Sequence, residues 1–349
     1  MLFLLPSNNV TFHNTETKPL IVGGLPNSRG VVATCSYEAR AFGVHSVMPS
    51  STALRLCPHA IFVKSRFDAY RDVSEQIQTI FKEYTELVEP VSLDEAYLDV
   101  TTIDHFNHSA TRIAQDIIQK IKQKTQLTAS AGISYNKFLA KIASDINKPN
   151  GLFTITPKQG SQFIEQLPIG KFHGIGQATE QKIHALGIYT GKDLKALSQE
   201  QLQHHFGKTG LHYFRIAHNE DNRPVRPYRT IKSVGIEKTF TNDLSDPRVI
   251  EQSINYLFST AFAKLQKKEL NALTVTLKVK YENFEQITRS RTGHEHLTDQ
   301  GLEQEILTAL IKKTAIGQRK VRLLGITFSS LEPKGTVCHP QQLDLFQLN

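Results

Sequence analysis

The segment Ser92–Val100, SLDEAYLDV, constrains this chain most, because it places two adjacent carboxylates inside an apolar run. Like charges oppose each other's ionisation, so Asp94 next to Glu95 in a strand is costly. Mg²⁺ removes that cost, since it prefers oxygen ligands and keeps positions open for substrate phosphates. Two such ions about 4 Å apart can bind an attacking hydroxyl and a leaving pyrophosphate. For the pair alone, a solvated strand end is the more frequent alternative.

The surrounding chain alternates predicted helices and strands, which favours an α/β or α+β core. Helices are predicted over 66–87, 109–125, 136–146 and 251–268, and strands over 92–100, 128–134 and 272–281. Residues 157–221 read as all-helical. In the last strand Leu273, Val275, Leu277 and Val279 alternate with Thr274, Thr276, Lys278 and Lys280, so one face is expected to be open and basic. Arg289 and Arg291 repeat that spacing.

Charge favours a polyanionic partner such as nucleic acid. The 349 residues carry 41 Lys and Arg against 33 Asp and Glu, a formal charge of +8. The three cysteines, Cys35, Cys57 and Cys338, have neither zinc-site nor disulfide spacing, which favours a reducing cytoplasm. The apolar start lacks the features of a secretory signal, and no apolar run approaches the roughly 20 residues that cross a membrane.

Two further motifs carry phosphate-binding chemistry. In TCSYEARAFGV, Tyr37 and Arg40 are neighbours if the segment is helical, and a phenol and a guanidinium suit phosphate oxygens. Lys137 and Lys141 share a helix face, and Lys148 follows in a KPNG turn, so these lysines are candidates to neutralise a triphosphate. A capped surface arginine and a solvated basic helix are the alternative interpretations.

Together these segments resemble the Y-family DNA polymerases, closest to the DNA polymerase IV type. The resemblance rests on YEARAFGV, SLDEAYLDV and SAGISYNKFLAKIASDINKPNG and covers about residue 18 to the end. It implies an α+β multidomain right hand with palm, small fingers, a helix-hairpin-helix thumb and an α/β little finger. The implied boundaries are fingers 1–62, palm 63–156, thumb 157–221, linker 222–235, little finger 236–332 and a clamp-binding tail 333–349.

Function follows from the same resemblance: low-fidelity translesion DNA synthesis by two-Mg²⁺ nucleotidyl transfer to a primer 3′-hydroxyl. Asp94 and Glu95 resemble the catalytic metal ligands. Nucleotide-binding residues are expected at Thr34, Tyr37, Arg40 and Lys148. DNA-binding residues are expected at Gly174 and Gly176, where a tight turn presents bare N–H groups to a phosphate, and at Lys278, Lys280, Arg289 and Arg291.

The segment Gln342-Leu343-Asp344-Leu345-Phe346 resembles the bacterial sliding-clamp peptide. Leu345 and Phe346 suit an apolar pocket, with Gln342 and Leu343 completing the motif. The expected partners are therefore primer–template DNA, deoxynucleoside triphosphates and the clamp, for a monomeric cytoplasmic protein. A frayed C-terminus is the alternative.

The chain departs from the family at its start. The family begins with a strand, D-M-D-C-F-Y/F-A-x-V-E, whose first aspartate is a further metal ligand and whose nearby aromatic excludes ribonucleotides. Here the first aspartate is Asp68, and only Glu16 and Glu38 precede it as acidic residues. A catalytically impaired DNA- and clamp-binding protein therefore stays open beside the polymerase, as does another palm-fold nucleotidyl transferase such as a nucleotide cyclase.

Overall fold

The computed structural model describes residues 18–293, 295–297 and 302–335, which divide into two compact units. The first comprises residues up to Gly24, Val31–Met48 and Thr52–Tyr228; the second comprises Leu25–Gly30, Pro49–Ser51 and the chain from Arg229 onward. Among the described residues, no helix combines the length and apolarity needed to cross a bilayer.

The chain up to Tyr228 consists mostly of short strands and helices. Its strands are β1 Leu20–Gly23, β2 Val32–Cys35, β3 Ile61–Val63, β4 Val88–Pro90, β5 Ala96–Leu98, β6 Ala131–Ile133 and β7 Leu152–Thr154. Its helices are α1 Tyr37–Ala41, α2 Ser50–Leu56, α3 Phe67–Lys82, α4 Ala110–Thr125, α5 Lys137–Ile146, α6 Pro157–Gln166, α7 Gln177–His184, α8 Gly191–Lys195, α9 Gln199–Phe206 and α10 Lys208–Ala217. The all-helical prediction for 157–221 is confirmed.

Three larger apolar clusters organise this part of the chain, beside a small one of Leu20, Val22 and Val63. One lies under the β2-β1-β3 sheet, around Ile21 and Cys35. A second joins α3 to α4, where Ile77, Ile113 and Ile121 are buried. The third packs α5 against the helices that follow it. Helix α5 therefore has its apolar face in the helical domain, while it also contacts strands β6 and β7.

The strands near the carboxylate pair form two separate sheets in the described chain. Strand β4 pairs antiparallel with β5, and β6 pairs parallel with β7. The prediction of one long strand over 92–100 is wrong in extent, because only Ala96–Leu98 is extended. Residues before Ala96 turn instead, which leaves the two carboxylates half-buried in the turn rather than inside a sheet.

Gly132 lets β6 approach α5 closely. A Cβ built there would lie 2.1 Å from the Ala140 carbonyl oxygen and 2.2 Å from the Ser144 amide nitrogen, and neither backbone atom can move without shifting the helix. We expect Gly132→Ala to reduce the free energy of unfolding by about 2 kcal/mol or more, measured by urea denaturation. Gly176→Ala is the control, because no heavy atom lies within 4 Å of its Cβ position. Equal stability of both variants would contradict the close packing.

From Arg229 onward the chain forms a four-stranded antiparallel sheet of order β10-β9-β11-β8. The elements are β8 Ser233–Leu244, α11 Pro247–Lys267, β9 Leu270–Tyr281, β10 Gln286–Thr292, α12 Leu302–Ile311 and β11 Val321–Pro333. Apolar side chains of α11, including Ile254 and Phe258, pack with Leu277 and Phe328 of the sheet. The alternation predicted for β9 is confirmed, since Val275, Leu277 and Val279 are buried while Lys278 is not.

Candidate active site

The carboxylate pair lies in the turn that joins β4 to β5. The amide of Val91 donates to the Glu95 carbonyl at 2.8 Å and closes the turn. Inside it, Ser92 Oγ donates to Asp94 Oδ1 at 2.6 Å. Asp94 and Glu95 are both half-buried, so their carboxylates are fixed by the hairpin yet reachable from solvent.

Helix α5 and the turn after it bring cations to this pair. Lys141 Nζ donates to Glu95 Oε1 at 2.9 Å and lies 3.8 Å from Asp145 Oδ2. Lys148 pairs with the same Asp145. Burial alone would raise the pKa of Glu95, but the hydrogen bond and charge of Lys141 hold that pKa below its usual value. Glu95 is therefore ionised and matched by a lysine.

Asp145 is held ionised in the same way. Burial acts to raise its pKa, while the hydrogen bond from Lys148 and the charge of Lys141 bring it below its usual value. The pKa of Lys148 is raised, because its pairing with Asp145 outweighs the burial that acts to lower it. The cluster thus alternates charges from Glu95 through Lys141 and Asp145 to Lys148.

A cavity of about 220 Å³ connects these groups. Asp94, Glu95, Lys141 and Lys148 all line it, and Leu98 is among the apolar residues of its wall. Strands β5 and β6 both contribute to the lining, and in the described chain each pairs on only one edge. Lys148 therefore shares a cleft with the carboxylate pair.

Lys137 does not belong to this cavity. It is buried, pairs with Glu89 and places its ammonium 5.3 Å from the centre of the Tyr97 ring. Of the three lysines considered as triphosphate ligands, only Lys141 and Lys148 line the cavity. Lys137 instead connects α5 to the β4–β5 hairpin.

The residues expected to contact a nucleotide from the fingers lie around α1, which confirms the helical spacing of Tyr37 and Arg40. Thr34 is buried and Tyr37 is exposed. Thr34 Oγ1 and Arg40 Nε are buried without a hydrogen-bond partner in the described part of the chain. Buried polar atoms are normally paired, so these two have capacity for a ligand. Neither they nor Tyr37 line the cavity at Glu95.

Two glycines mark the turn before α7. Gly174 has φ +93°, a left-handed conformation that favours glycine, and Gly176 caps the helix. Nothing lies within 4 Å of a Cβ at either position, so the backbone here is open to a ligand. This geometry is compatible with the predicted phosphate contact, which stays a prediction.

The four basic residues of the β9–β10 pair do not share one face of the sheet. Arg289 lies directly opposite Leu277, and Arg291 lies opposite Val275. Both arginines therefore project to the apolar side of the sheet, where Arg289 Nε donates to the Lys313 carbonyl at 2.7 Å. Of the four, only Lys278 and Lys280 lie on the open face, and Lys278 Nζ donates to Glu237 at 2.7 Å.

The clamp motif at Gln342, Leu343, Leu345 and Phe346 lies outside the described residues.

Sequence reasoning missed Asp145, although it lies four residues after Lys141 on the predicted helix and three residues before Lys148. It also missed Glu89 and Asp221, which contact α5 from distant parts of the chain. No sequence signal separates these two from ordinary surface carboxylates.

Comparisons with known proteins cover nearly the whole chain. The profile described as the impB/mucB/samB family matches residues 8–145, that of its C-terminal domain matches 231–345, and that of its HHH motif matches 157–188. DNA polymerase IV of Alkalilimnicola ehrlichii is 51% identical over 314 residues, which is 90% of this chain and 88% of that protein. DNA polymerase IV 2 of Agrobacterium fabrum is 52% identical over 316 residues, with the same two coverages.

Solved structures agree with these relatives. A chimera of the Y-family DNA polymerases Dbh and Dpo4 matches with a TM-score of 0.86 at 27% identity, over 95% of this chain and 97% of that chain. An insertion ternary complex of Dbh DNA polymerase matches with a TM-score of 0.66 at 27% identity, over 94% and 96%. The expected right-hand polymerase fold with a helix-hairpin-helix motif is confirmed.

Proposed function

Because the chain belongs to the impB/mucB/samB family, the Y-family DNA polymerases of the DNA polymerase IV type, we propose that its catalytic centre is the cavity at Asp94 and Glu95. The chain is a DNA-directed DNA polymerase of translesion synthesis, and its substrates are primer–template DNA and deoxynucleoside triphosphates. One observation carries the assignment of the centre: both carboxylates line the same cavity as Lys141 and Lys148.

The donor set fits magnesium in its chemistry. Two adjacent carboxylates offer hard oxygen ligands, and both are accessible from the cavity. Within residues 18–293, 295–297 and 302–335 no group of three or more His, Cys, Asp or Glu could hold a metal ion. Mg²⁺ is usually bound by one or two carboxylates together with substrate phosphates, so Asp94 and Glu95 are the proposed protein ligands. When bound, Mg²⁺ supplies Lewis-acid charge to the reacting phosphate and to the primer hydroxyl. Two ions are expected from the family.

The protein's own groups bind and orient the nucleotide. Lys148 and Lys141 neutralise phosphate oxygens beside the carboxylates, because both residues line the same cavity. Within the described chain, Thr34 Oγ1 and Arg40 Nε are buried without a hydrogen-bond partner, and Tyr37 is exposed on the same helix as Arg40, so these three suit the triphosphate on the fingers side. Arg40 presents a planar fork that a lysine does not reproduce.

Primer extension tests this function directly. The purified chain, given primer–template, Mg²⁺ and the templated deoxynucleotide, is expected to add one nucleotide to the primer. A second form carries a family-type aspartate strand in place of residues 1–17. Extension by the second form alone would favour the impaired DNA- and clamp-binding alternative, and extension by neither form would contradict the polymerase assignment.

The open face of the four-stranded sheet is proposed to contact the DNA backbone. Replacing Lys278 and Lys280 by alanine is expected to reduce the slope of log K against log salt by about 0.9 for each phosphate that these lysines neutralise. Alanine at Arg289 and Arg291, which project to the opposite side of the sheet, is the matched comparison and is expected to change the slope less. A larger reduction from the arginine pair would overturn this assignment of faces.

The C-terminal tail is proposed to bind the bacterial sliding clamp through Gln342, Leu343, Leu345 and Phe346. Replacing Leu345 and Phe346 by alanine is expected to weaken clamp binding by about 2 kcal/mol or more, since two apolar anchors leave their pocket. Isothermal titration with a purified clamp measures it. Single-nucleotide extension without the clamp serves as the control and is expected to be unchanged.

A cytoplasmic monomer is proposed as the working form.

A further inference from the structure

The first turn of α5 is held by two carboxylates that lie far from it in sequence. Asp221 Oδ2 accepts from the Phe138 amide at 2.9 Å, across 83 residues of sequence. Glu89 pairs with Lys137. The helix also has its own cap, since Asn136 Oδ1 accepts from the Leu139 amide at 2.9 Å. The first amides of a helix have no partner within the helix, so the Asn136 cap satisfies the Leu139 amide and Asp221 satisfies the Phe138 amide from a distant part of the chain.

Asp221 is a buried carboxylate, with only 3% of its side chain exposed. Burial acts to raise its pKa, but the hydrogen bonds from Arg223 and Phe138 bring the pKa below its usual value. The Arg223 guanidinium binds both carboxylate oxygens, at 2.6 Å and 2.8 Å. Removing one partner of such a buried group is costly. Asp221 therefore connects the segment after α10 to the start of α5.

Glu89 joins the same helix to the catalytic hairpin. It lies opposite Tyr97 in the β4–β5 pair, and Tyr97 follows Glu95 by two residues. Glu89 Oε2 also accepts from the Arg226 amide at 2.6 Å. Glu89 thus contacts three segments: α5 through Lys137, strand β5 through its pairing with Tyr97, and the segment after α10 through Arg226. One helical turn further along α5, Lys141 binds Glu95.

From this arrangement we propose that Glu89 and Asp221 are positioning residues for nucleotide binding. They act through α5, because one helical turn separates Lys137, held by Glu89, from Lys141 in the cavity. A shift of the first turn of α5 moves Lys141 relative to Glu95. The inference rests on the proposed role of Lys141 and Lys148 at the triphosphate. It adds that Asp221, at the end of the expected thumb, and Arg223 and Arg226, in the expected linker, help to set the geometry of that site.

The test compares alanine with a conservative substitution at each position. Asp221→Asn and Glu89→Gln keep an oxygen that can accept from the Phe138 or Arg226 amide, whereas Asp221→Ala and Glu89→Ala do not. We expect the alanine variants to raise KM for the deoxynucleotide about tenfold and the amide variants about twofold, because a misplaced lysine binds phosphate less well. The Kd for primer–template is expected to stay within about twofold. Glu83→Gln, which breaks the exposed Lys120 pair on α4, is the control.

Hydrogen exchange of the Phe138 amide separates the different ways in which the proposal can fail. Faster exchange in Asp221→Ala with an unchanged KM would show that the contact exists but does not position Lys141, and would overturn the proposal. A uniform loss of activity in alanine and amide variants alike, with the same fall in Tm, would reduce both residues to a stabilising role and overturn it too. If the wild-type chain itself extends no primer, the proposed function fails, while the exchange measurement still reports on the Asp221 contact.

Discussion

Replacing Asp94 by asparagine, or Glu95 by glutamine, is expected to lower kcat for nucleotide addition by a factor of about 10³ or more. Each substitution keeps the side-chain size and removes the negative charge that holds a divalent cation beside the phosphates. Primer–template affinity is expected to change by less than about twofold, because contacts of other parts of the protein with the DNA phosphate backbone dominate DNA binding. Single-turnover incorporation, at saturating DNA, measures the effect.

Asp99→Asn is the matched control for both variants. Asp99 lies in the same nine-residue segment, but its Oδ1 accepts from the Thr101 amide and hydroxyl, and it does not line the cavity. It is expected to retain most of the wild-type rate. Rates for Asp94→Asn or Glu95→Gln within about tenfold of wild type would contradict a metal-binding role for that carboxylate.

Arg40→Ala is expected to lower kcat/KM for the incoming deoxynucleotide by about 10², mainly through KM. Its Nε is buried without a hydrogen-bond partner in the described chain, as is Thr34 Oγ1, so the wild-type site has donors waiting for phosphate oxygens. Arg40→Lys is expected to recover only part of the loss, because an ammonium cannot form the planar two-point contact. Steady-state incorporation kinetics measure both variants.

Arg55→Ala provides the comparison for Arg40. Arg55 lies in the last turn of α2, and its guanidinium contacts Thr52 on the same helix at 3.3 Å. The substitution removes the same charge from the neighbouring helix. An equal loss of kcat/KM in both variants would mean that the charge of this region, and not a specific contact by Arg40, supports nucleotide binding.

Much of the fold could be predicted from the sequence where the apolar pattern of a segment agreed with its capping residues. Helices α4 and α5 begin within one residue of their predicted starts, because apolar stripes coincide with caps at Ser109 and Asn136. The strand at 92–100 was overestimated, since its apolar residues gave no sign that the turn at Ser92 and Asp94 ends the pairing before Ala96. The periodicity of apolar residues alone does not determine where a strand ends.

The site was predictable in its chemistry and less so in its geometry. Asp94, Glu95 and Lys148 were identified by residue type and motif, and they line one cavity. The faces of Arg289 and Arg291 were not predictable, because the strand register that places them opposite Leu277 and Val275 depends on the partner strand. Asp221 was missed for a related reason, since only the tertiary fold brings it to Phe138.

Binding of Mn²⁺ in place of Mg²⁺, followed by electron paramagnetic resonance with primer–template and a non-hydrolysable deoxynucleotide, tests the central assignment most directly. The wild-type chain and the Asp99→Asn variant are expected to bind the ion together with the nucleotide. The Asp94→Asn, Glu95→Gln double variant is expected to lose that binding. Equal Mn²⁺ occupancy in the double variant and the wild type would contradict the assignment of these two carboxylates as the metal ligands.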